Sequence, residues 1–144
     1  MLKGIPENLS PELFKVLMEM GHGDEIVLAD GNFPSSNYAQ RLVRADGHGI
    51  PSLLDSILKF FPLDTFVEAP VKFMKTVDPS ESEPPIWDTY NKILSKASET
   101  DIKIEYVERF EFYKHAQESY AILATSESAL YGNMILKKGV IETD

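Results

Sequence analysis

Apolar residues recur along this chain with a helical period in four separate stretches. The first stretch follows Ser10-Pro11-Glu12, which combine a capping serine, a proline suited to the first helical turn and an acid at the positive helix end. Apolar residues three and four apart then give each stretch one hydrophobic face. The pattern predicts helices over residues 10–20, 50–61, 87–97 and 110–119.

Short apolar runs between charged or turn residues predict the strands. The clearest run, residues 26–29, is continuously apolar between two acids, which is typical of a buried strand. Further strands are predicted at 65–68, 71–77 (of ambiguous period), 102–106, 120–124 and 133–136, with one more ending at 44–45, and loops at 30–36, 78–85 and 126–132. Because helices and strands alternate, we expect an α/β fold: a single domain over residues 1–144, with three α/β/α layers built on a mostly parallel, mixed sheet.

Composition narrows the range of partners. The chain has 144 residues, 43% of them hydrophobic, and a net charge of −9 from 14 basic and 23 acidic side chains. This charge disfavours nucleic acid, anionic membranes and phosphorylated substrates, so a neutral small molecule is the expected ligand. No apolar run approaches the ~20 residues of a membrane helix, and the first residues do not form a signal-peptide pattern. There is also no cysteine, and we therefore expect a cytoplasmic protein.

The first candidate site surrounds residues 21–30. His22 lies between two glycines and can give or take a proton near neutrality, although a loop histidine that caps the preceding helix is an equal alternative. Asp30 follows the clearest strand and can hold sugar hydroxyls or orient an imidazole, although an aspartate before a glycine is also common turn chemistry. A metal site made of His22, Asp24 and Asp30 is the less favoured reading, because no metal-ligand spacing supports it.

Further candidates lie at later connections. Tyr131 and Asn133 stand two apart at the start of a predicted strand, so they are expected to point the same way, with donors and acceptors suited to a polyhydroxy ligand. Arg109 follows a predicted strand and can donate in a fork, or it can pair with a neighbouring glutamate. Asp64 precedes a predicted strand, and Tyr113 lies on a predicted helix. Each of these residues also has a purely structural reading.

The candidate residues favour proton transfer on a neutral polar ligand. There is no nucleophile elbow, which disfavours covalent catalysis, and no glycine-rich phosphate motif. The candidate side chains that remain are a histidine, carboxylates, a tyrosine, an amide and an arginine. A sugar-binding module without catalysis would use the same contacts and is the alternative.

Several motifs, taken in order, resemble one known family. They are Glu19-Met20-Gly21-His22-Gly23-Asp24-Glu25-Ile26, Asn32-Phe33-Pro34, Arg44-Ala45-Asp46-Gly47, Leu63-Asp64-Thr65, Arg109-Phe110-Glu111-Phe112-Tyr113, Tyr131-Gly132-Asn133 and Leu136-Lys137-Lys138-Gly139-Val140. With their spacing, they resemble the family that joins the L-fucose mutarotases and the D-ribose pyranases, and the animal-type fucose branch in particular. The resemblance covers nearly the whole chain, and the proline-rich loop at 78–85 is its least typical segment.

The resemblance implies an isomerase that exchanges the α and β anomers of L-fucose without a cofactor, and D-ribose pyranase activity is open to test. It implies that His22 transfers protons, with Asp64 and Tyr113 at positions associated with catalysis. It further implies that the sugar is held by Asp30, Arg109, Tyr131 and Asn133. Family members form homo-oligomers, including decameric rings of two pentamers, with sites near subunit contacts. We therefore expect self-association and a monosaccharide substrate, with no nucleic acid and no membrane as partners.

Overall fold

A six-stranded sheet with helices on both faces forms the structure, a computed structural model that describes residues 1–143. The strands are β1 (Glu25–Ala29), β2 (Leu42–Ala45), β3 (Val71–Met74), β4 (Ile104–Val107), β5 (Ala121–Thr125) and β6 (Met134–Lys137). The helices are α1 (Pro11–Glu19), α2 (Ser35–Tyr38), α3 (Ile50–Leu58), α4 (Pro85–Ala97) and α5 (Arg109–Glu118).

The strand order is β2-β5-β1-β6-β3-β4, and β6 runs antiparallel to both of its neighbours. The remaining pairs are parallel, which confirms the mostly parallel, mixed sheet. Five strands therefore end, and β6 begins, along one edge. We call this the carboxyl edge: the residues directly after β1 to β5 and directly before β6. The opposite side, before β1 to β5 and after β6, is the amino edge.

Alternate residues of the central strands face two separate hydrophobic cores. In β1, Ile26 and Leu28 pack with α1, α3 and α4, whereas Val27 and Ala29 pack with residues of α5 and the partly buried side chains of α2. All four of these residues are fully buried. Strands covered on both faces read as continuous apolar runs, which explains why residues 26–29 were recognisable. The three-layer α/β/α arrangement is confirmed.

The helix boundaries follow local chemistry. Ser10 accepts a hydrogen bond from the Leu13 amide at 3.1 Å, as the capping signal predicted. A proline is the first residue of α1 and α4 and the second residue of α3, where a backbone N–H would have no acceptor within the helix. Among the helices of residues 1–143, none combines the length and the apolar character that a membrane crossing needs.

Two local predictions were wrong. Residues 65–68 are an exposed bend rather than a strand. Their β-favouring side chains have no neighbouring strand to pair with, and a strand without a partner is not stable. Residues 30–36 are not all loop, because α2 begins at Ser35. Four residues are too few for a helical period to appear in the sequence. The ambiguous stretch at 71–77 forms a strand only as far as Met74.

Candidate functional site

Asp30 and Asn133 bind each other at the carboxyl edge. The Asp30 amide donates to Asn133 Oδ1 at 2.7 Å, and Asn133 Nδ2 donates to Asp30 Oδ2 at 3.1 Å. Asp30 directly follows β1 and Asn133 directly precedes β6, which is the antiparallel neighbour of β1. The sheet thus brings together two residues that are 103 positions apart. Both side chains are buried.

Burial makes the Asp30 carboxyl harder to ionise. Its pKa lies above the usual aspartate value chiefly because the carboxyl is removed from water. Hydrogen bonds from the backbone of Asn32 and Phe33 and from Asn133 lower the pKa, but by less, and the nearby Glu127 charge raises it further. A carboxyl in such surroundings is suited to hold a hydroxyl group of a neutral ligand.

The loop before β6 is fixed from the side of α4. Tyr131 adopts a left-handed backbone with φ +57°, its hydroxyl accepts from the Val77 amide at 3.2 Å, and its carbonyl accepts from Trp87 Nε1 at 3.0 Å. The Tyr90 hydroxyl donates to the Gly132 carbonyl at 2.7 Å. The prediction that Tyr131 and Asn133 point the same way was based on strand alternation, which does not apply because Tyr131 precedes β6 and has a left-handed backbone. The Tyr131 side chain contacts the Val77 amide, whereas the Asn133 side chain contacts Asp30.

Arg109 and Tyr113 join this edge through aromatic contacts. Arg109 begins α5, and its guanidinium lies 4.7 Å from the ring centre of Phe110. The rings of Phe110 and Tyr113 are 6.3 Å apart, and Tyr113 is 5.5 Å from Phe33, which follows Asp30 by three residues. Within residues 1–143, Arg109 makes no ion pair within 4 Å with a neighbouring glutamate, so its fork of donors is not committed to one.

His22 and Asp64 meet at the amino edge instead. His22 Nε2 lies 3.0 Å from Asp64 Oδ1, and the ring of Phe66 is 5.3 Å from the imidazole. The His22 side chain is 45% exposed, whereas Asp64 is only 3% exposed. Burial raises the pKa of Asp64, but hydrogen bonds from the Phe66 amide and from His22, and the nearby cationic groups, together hold it below the usual value. The pair is an exposed imidazole oriented by a buried carboxylate.

The predicted site residues therefore form two groups at opposite edges. His22 lies three residues before β1 and Asp30 directly after it. Five strand residues at about 3.3 Å each separate the edges by roughly 16 Å. The suggested metal set of His22, Asp24 and Asp30 does not come together, and residues 1–143 contain no group of three or more ligating side chains placed to hold a metal ion.

Some side chains at the two edges were not singled out in the sequence. The sequence pattern indicates Tyr90 only as part of the apolar stripe of α4, and Phe66 only as part of a predicted strand. Glu127 lies in a predicted loop. The one sequence signal for a role at the site is its position, two residues after a buried strand that ends at the carboxyl edge. Thr125, the last residue of that strand, donates to the Ala29 carbonyl at 2.7 Å.

Comparison with known proteins gives consistent matches over almost the whole chain. The model of the RbsD / FucU transport protein family matches residues 3–141. A fucose mutarotase from Homo sapiens is 52% identical over 147 aligned positions, covering 97% of this chain and 94% of the relative. An L-fucose mutarotase from Actinobacillus pleuropneumoniae is 46% identical, with 97% of both chains covered. A crystal structure of a fucose mutarotase in complex with L-fucose, from Streptococcus pneumoniae, superposes with a TM-score of 0.93 at 50% identity, covering 98% of this chain and 100% of that one.

Proposed function

The chain belongs to the RbsD / FucU transport protein family, and on this basis we propose that it is an L-fucose mutarotase. It is an isomerase that interconverts the α and β anomers of L-fucose by acid–base opening and closure of the sugar ring. The observation that carries the proposal is the similarity to relatives named for this activity, at 46–52% identity over nearly full length. The fucose-bound structural neighbour supports the same substrate.

The reaction needs only positioned proton donors and acceptors. One group protonates the ring oxygen while another takes the proton from the anomeric hydroxyl, which opens the ring to the aldehyde. Reclosure on the opposite face of the carbonyl reverses the two roles. Acid–base groups held in place accelerate such steps by about 10²–10⁴-fold. The proposed mechanism therefore requires no cofactor.

We assign the acid–base role to His22, because its exposed imidazole is oriented by the buried carboxylate of Asp64. Asp64 fixes the orientation of the ring through the 3.0 Å contact, as a carboxylate partner does for a catalytic histidine. Tyr113 is the second candidate for proton transfer. The sugar is held by Asp30, Arg109, Tyr131 and Asn133, which offer both donors and acceptors to its hydroxyls.

We further propose that each complete site is shared between two copies of the chain. A monosaccharide cannot bridge the roughly 16 Å between the edges of one sheet, so His22 of one copy must meet Asp30 of another. Exposed aromatic and aliphatic side chains flank both groups: Phe66 beside His22, and Phe110 and Leu130 at the carboxyl edge. Exposed apolar groups next to polar ones are typical of contact surfaces.

An amino edge that binds a carboxyl edge is a head-to-tail contact, and repeated head-to-tail contacts close into a ring when the rotation allows it. This supports a homo-oligomer, with a decamer of two five-membered rings as the specific proposal. The cytoplasmic location, and the absence of nucleic-acid and membrane partners, stay predictions from composition.

Proton NMR exchange between the anomers of L-fucose tests the function. We expect catalytic amounts of the protein to accelerate exchange, and His22→Ala to fold normally and lose the acceleration. Line broadening of fucose without acceleration would indicate a sugar-binding module instead. D-Ribose, measured in parallel, tests whether the same ring opening extends to pyranose–furanose exchange.

A further inference from the structure

Glu127 joins two parts of the carboxyl edge through its carboxylate. Its Oε1 accepts from the amide of Ile50, the first residue of α3, at 3.0 Å. Its Oε2 accepts from the Ala129 amide at 3.1 Å, inside the loop that leads to Tyr131 and Asn133. Each carboxylate oxygen thus accepts from one backbone amide, and the two amides belong to different segments of the chain.

The main chain of Glu127 reaches the other side of the site. Its carbonyl accepts from the amide of Gly31, the residue after Asp30, at 2.8 Å. Its amide donates to Thr125 Oγ1 at 3.1 Å, and Thr125 in turn donates to the carbonyl of Ala29, the residue before Asp30. The backbone on both sides of Asp30 is therefore attached, directly or through Thr125, to Glu127.

Close packing leaves this connection little freedom. A Cβ placed on Gly132 would lie 3.3 Å from Glu127 Cγ and 3.1 Å from the Ala129 carbonyl. A Cβ on Gly31 would lie 3.3 Å from the Glu127 carbonyl. All three distances are shorter than ordinary van der Waals contact, so a side chain at either glycine would force its neighbours to shift by a few tenths of an ångström. The position of Glu127 thereby limits the positions of both.

We propose that Glu127 is a positioning residue for the mutarotase reaction: it sets Asp30 on one side of the sugar subsite and Tyr131 and Asn133 on the other, without contacting the sugar. This inference rests on the proposed function. Three of the four proposed sugar-binding groups, Asp30, Tyr131 and Asn133, come from two chain segments that are joined by the mutual Asp30–Asn133 contact and by Glu127. Loss of the Glu127 carboxylate removes its bonds to the Ile50 and Ala129 amides. It should therefore loosen the loop that carries Tyr131 and Asn133 while leaving His22 and Asp64, at the amino edge, undisturbed.

The experiment compares Glu127→Ala with Ser10→Ala in the anomer-exchange assay. Ser10→Ala is the matched control, because it also removes a side chain that accepts from a backbone amide at a helix start. Its hydrogen bond, however, joins only α1 and the capping residue directly before it. A displacement of about 1 Å in binding groups costs up to about 10²-fold in rate. We expect Glu127→Ala to lower kcat/KM by about 10- to 100-fold, mainly through KM, and Ser10→Ala to leave kcat/KM unchanged. Glu127→Gln keeps one acceptor oxygen and should recover part of the loss.

Amide hydrogen exchange provides a readout that does not depend on activity. Residues 126–133 should lose protection in Glu127→Ala and keep it in Ser10→Ala. Unchanged kcat/KM and unchanged protection in Glu127→Ala would overturn the inference, as would a loss that Ser10→Ala reproduces. Should Glu127→Ala fail to fold, Glu127→Gln decides by the same two readouts. If the wild-type protein itself does not accelerate anomer exchange, the proposed function fails, and protection of residues 126–133 then decides separately whether Glu127 holds the loop.

Discussion

Replacing Asn133 by aspartate would place two carboxylates where one amide and one carboxylate now bind each other. In the wild-type structure, Asn133 Nδ2 donates to Asp30 Oδ2 at 3.1 Å, while Asn133 Oδ1 accepts from the Asp30 amide at 2.7 Å. An aspartate keeps the second hydrogen bond, because it still offers an acceptor. It turns the first contact into one between two acceptors, which can persist only if the pair retains a proton.

The size of the effect follows from the separation. Two unit charges about 4 Å apart repel by about 4 kcal/mol at an effective dielectric constant of about 20. The folded Asn133→Asp protein avoids this repulsion by keeping one proton on the pair, which raises the apparent pKa of that proton by roughly 3 units at ~1.4 kcal/mol each. The unfolded chain releases both protons near pH 4.

The sign of the pH dependence is fixed by these proton counts. Between about pH 4 and pH 7 the folded protein binds one more proton than the unfolded chain, so the free energy of unfolding falls as the pH rises. We expect Asn133→Asp to lose roughly 3–4 kcal/mol more at pH 7.5 than at pH 4.5, out of a typical total of about 5–15 kcal/mol. The raised pKa of Asp30 gives the wild-type protein a slope of the same sign, and the comparison therefore uses the difference between variant and wild type.

Urea unfolding at the two pH values, for wild type, Asn133→Asp and Asn133→Ala, measures the effect. Asn133→Ala is the control: it loses both hydrogen bonds at every pH, at a cost of about 2–5 kcal/mol, and adds no new titrating group. If the destabilisation by Asn133→Asp were the same at pH 4.5 and pH 7.5, the reasoning about the Asp30–Asn133 pair would be refuted.

Two further stability predictions concern the amino edge and the sheet. Gly139→Ala would place its Cβ 2.6 Å from the Leu63 carbonyl, and we expect thermal unfolding to show a loss of about 1–3 kcal/mol or more in the free energy of unfolding. Gly21→Ala is the control, because its Cβ would meet only a side-chain oxygen at 3.7 Å, and its free energy of unfolding should stay within about 0.5 kcal/mol of wild type. Lys72→Met removes the cation that lies 3.2 Å from Glu25, with a lysine side chain only 9% exposed, and should cost about 1–3 kcal/mol in urea unfolding. Adding Glu25→Gln should recover part of that loss, and no recovery would contradict the ion-pair explanation.

The fold was predictable wherever a local signal and the tertiary structure agree. Residues 26–29 were recognisable because β1 is covered on both faces. The capping chemistry at Ser10 marked the start of α1 for an equally local reason. The strand predicted at residues 65–68 was wrong, because β-favouring side chains do not reveal whether a neighbouring strand is available for pairing. That information lies in the strand order, which no local pattern contains.

The candidate site was predictable by residue type but not by position. His22 and Asp30 are eight residues apart in sequence, yet the strand between them carries them to opposite edges. The Asp30–Asn133 contact depends on the pairing of β1 with β6, which joins segments 103 positions apart. Glu127 was not identifiable, because an acid in a loop looks the same whether it faces solvent or holds two backbone segments together.

Mixing two inactive variants tests the shared site most directly. The His22→Ala variant keeps an intact carboxyl edge, and the Asp30→Asn variant keeps an intact amino edge. A contact between these two intact edges forms a complete site, although neither variant can form one by itself. After joint refolding, random assembly into head-to-tail rings should restore about one quarter of the wild-type fucose anomer exchange. Mixed assemblies, verified by mass spectrometry, that exchange the anomers no faster than the separate variants would contradict a site shared between copies.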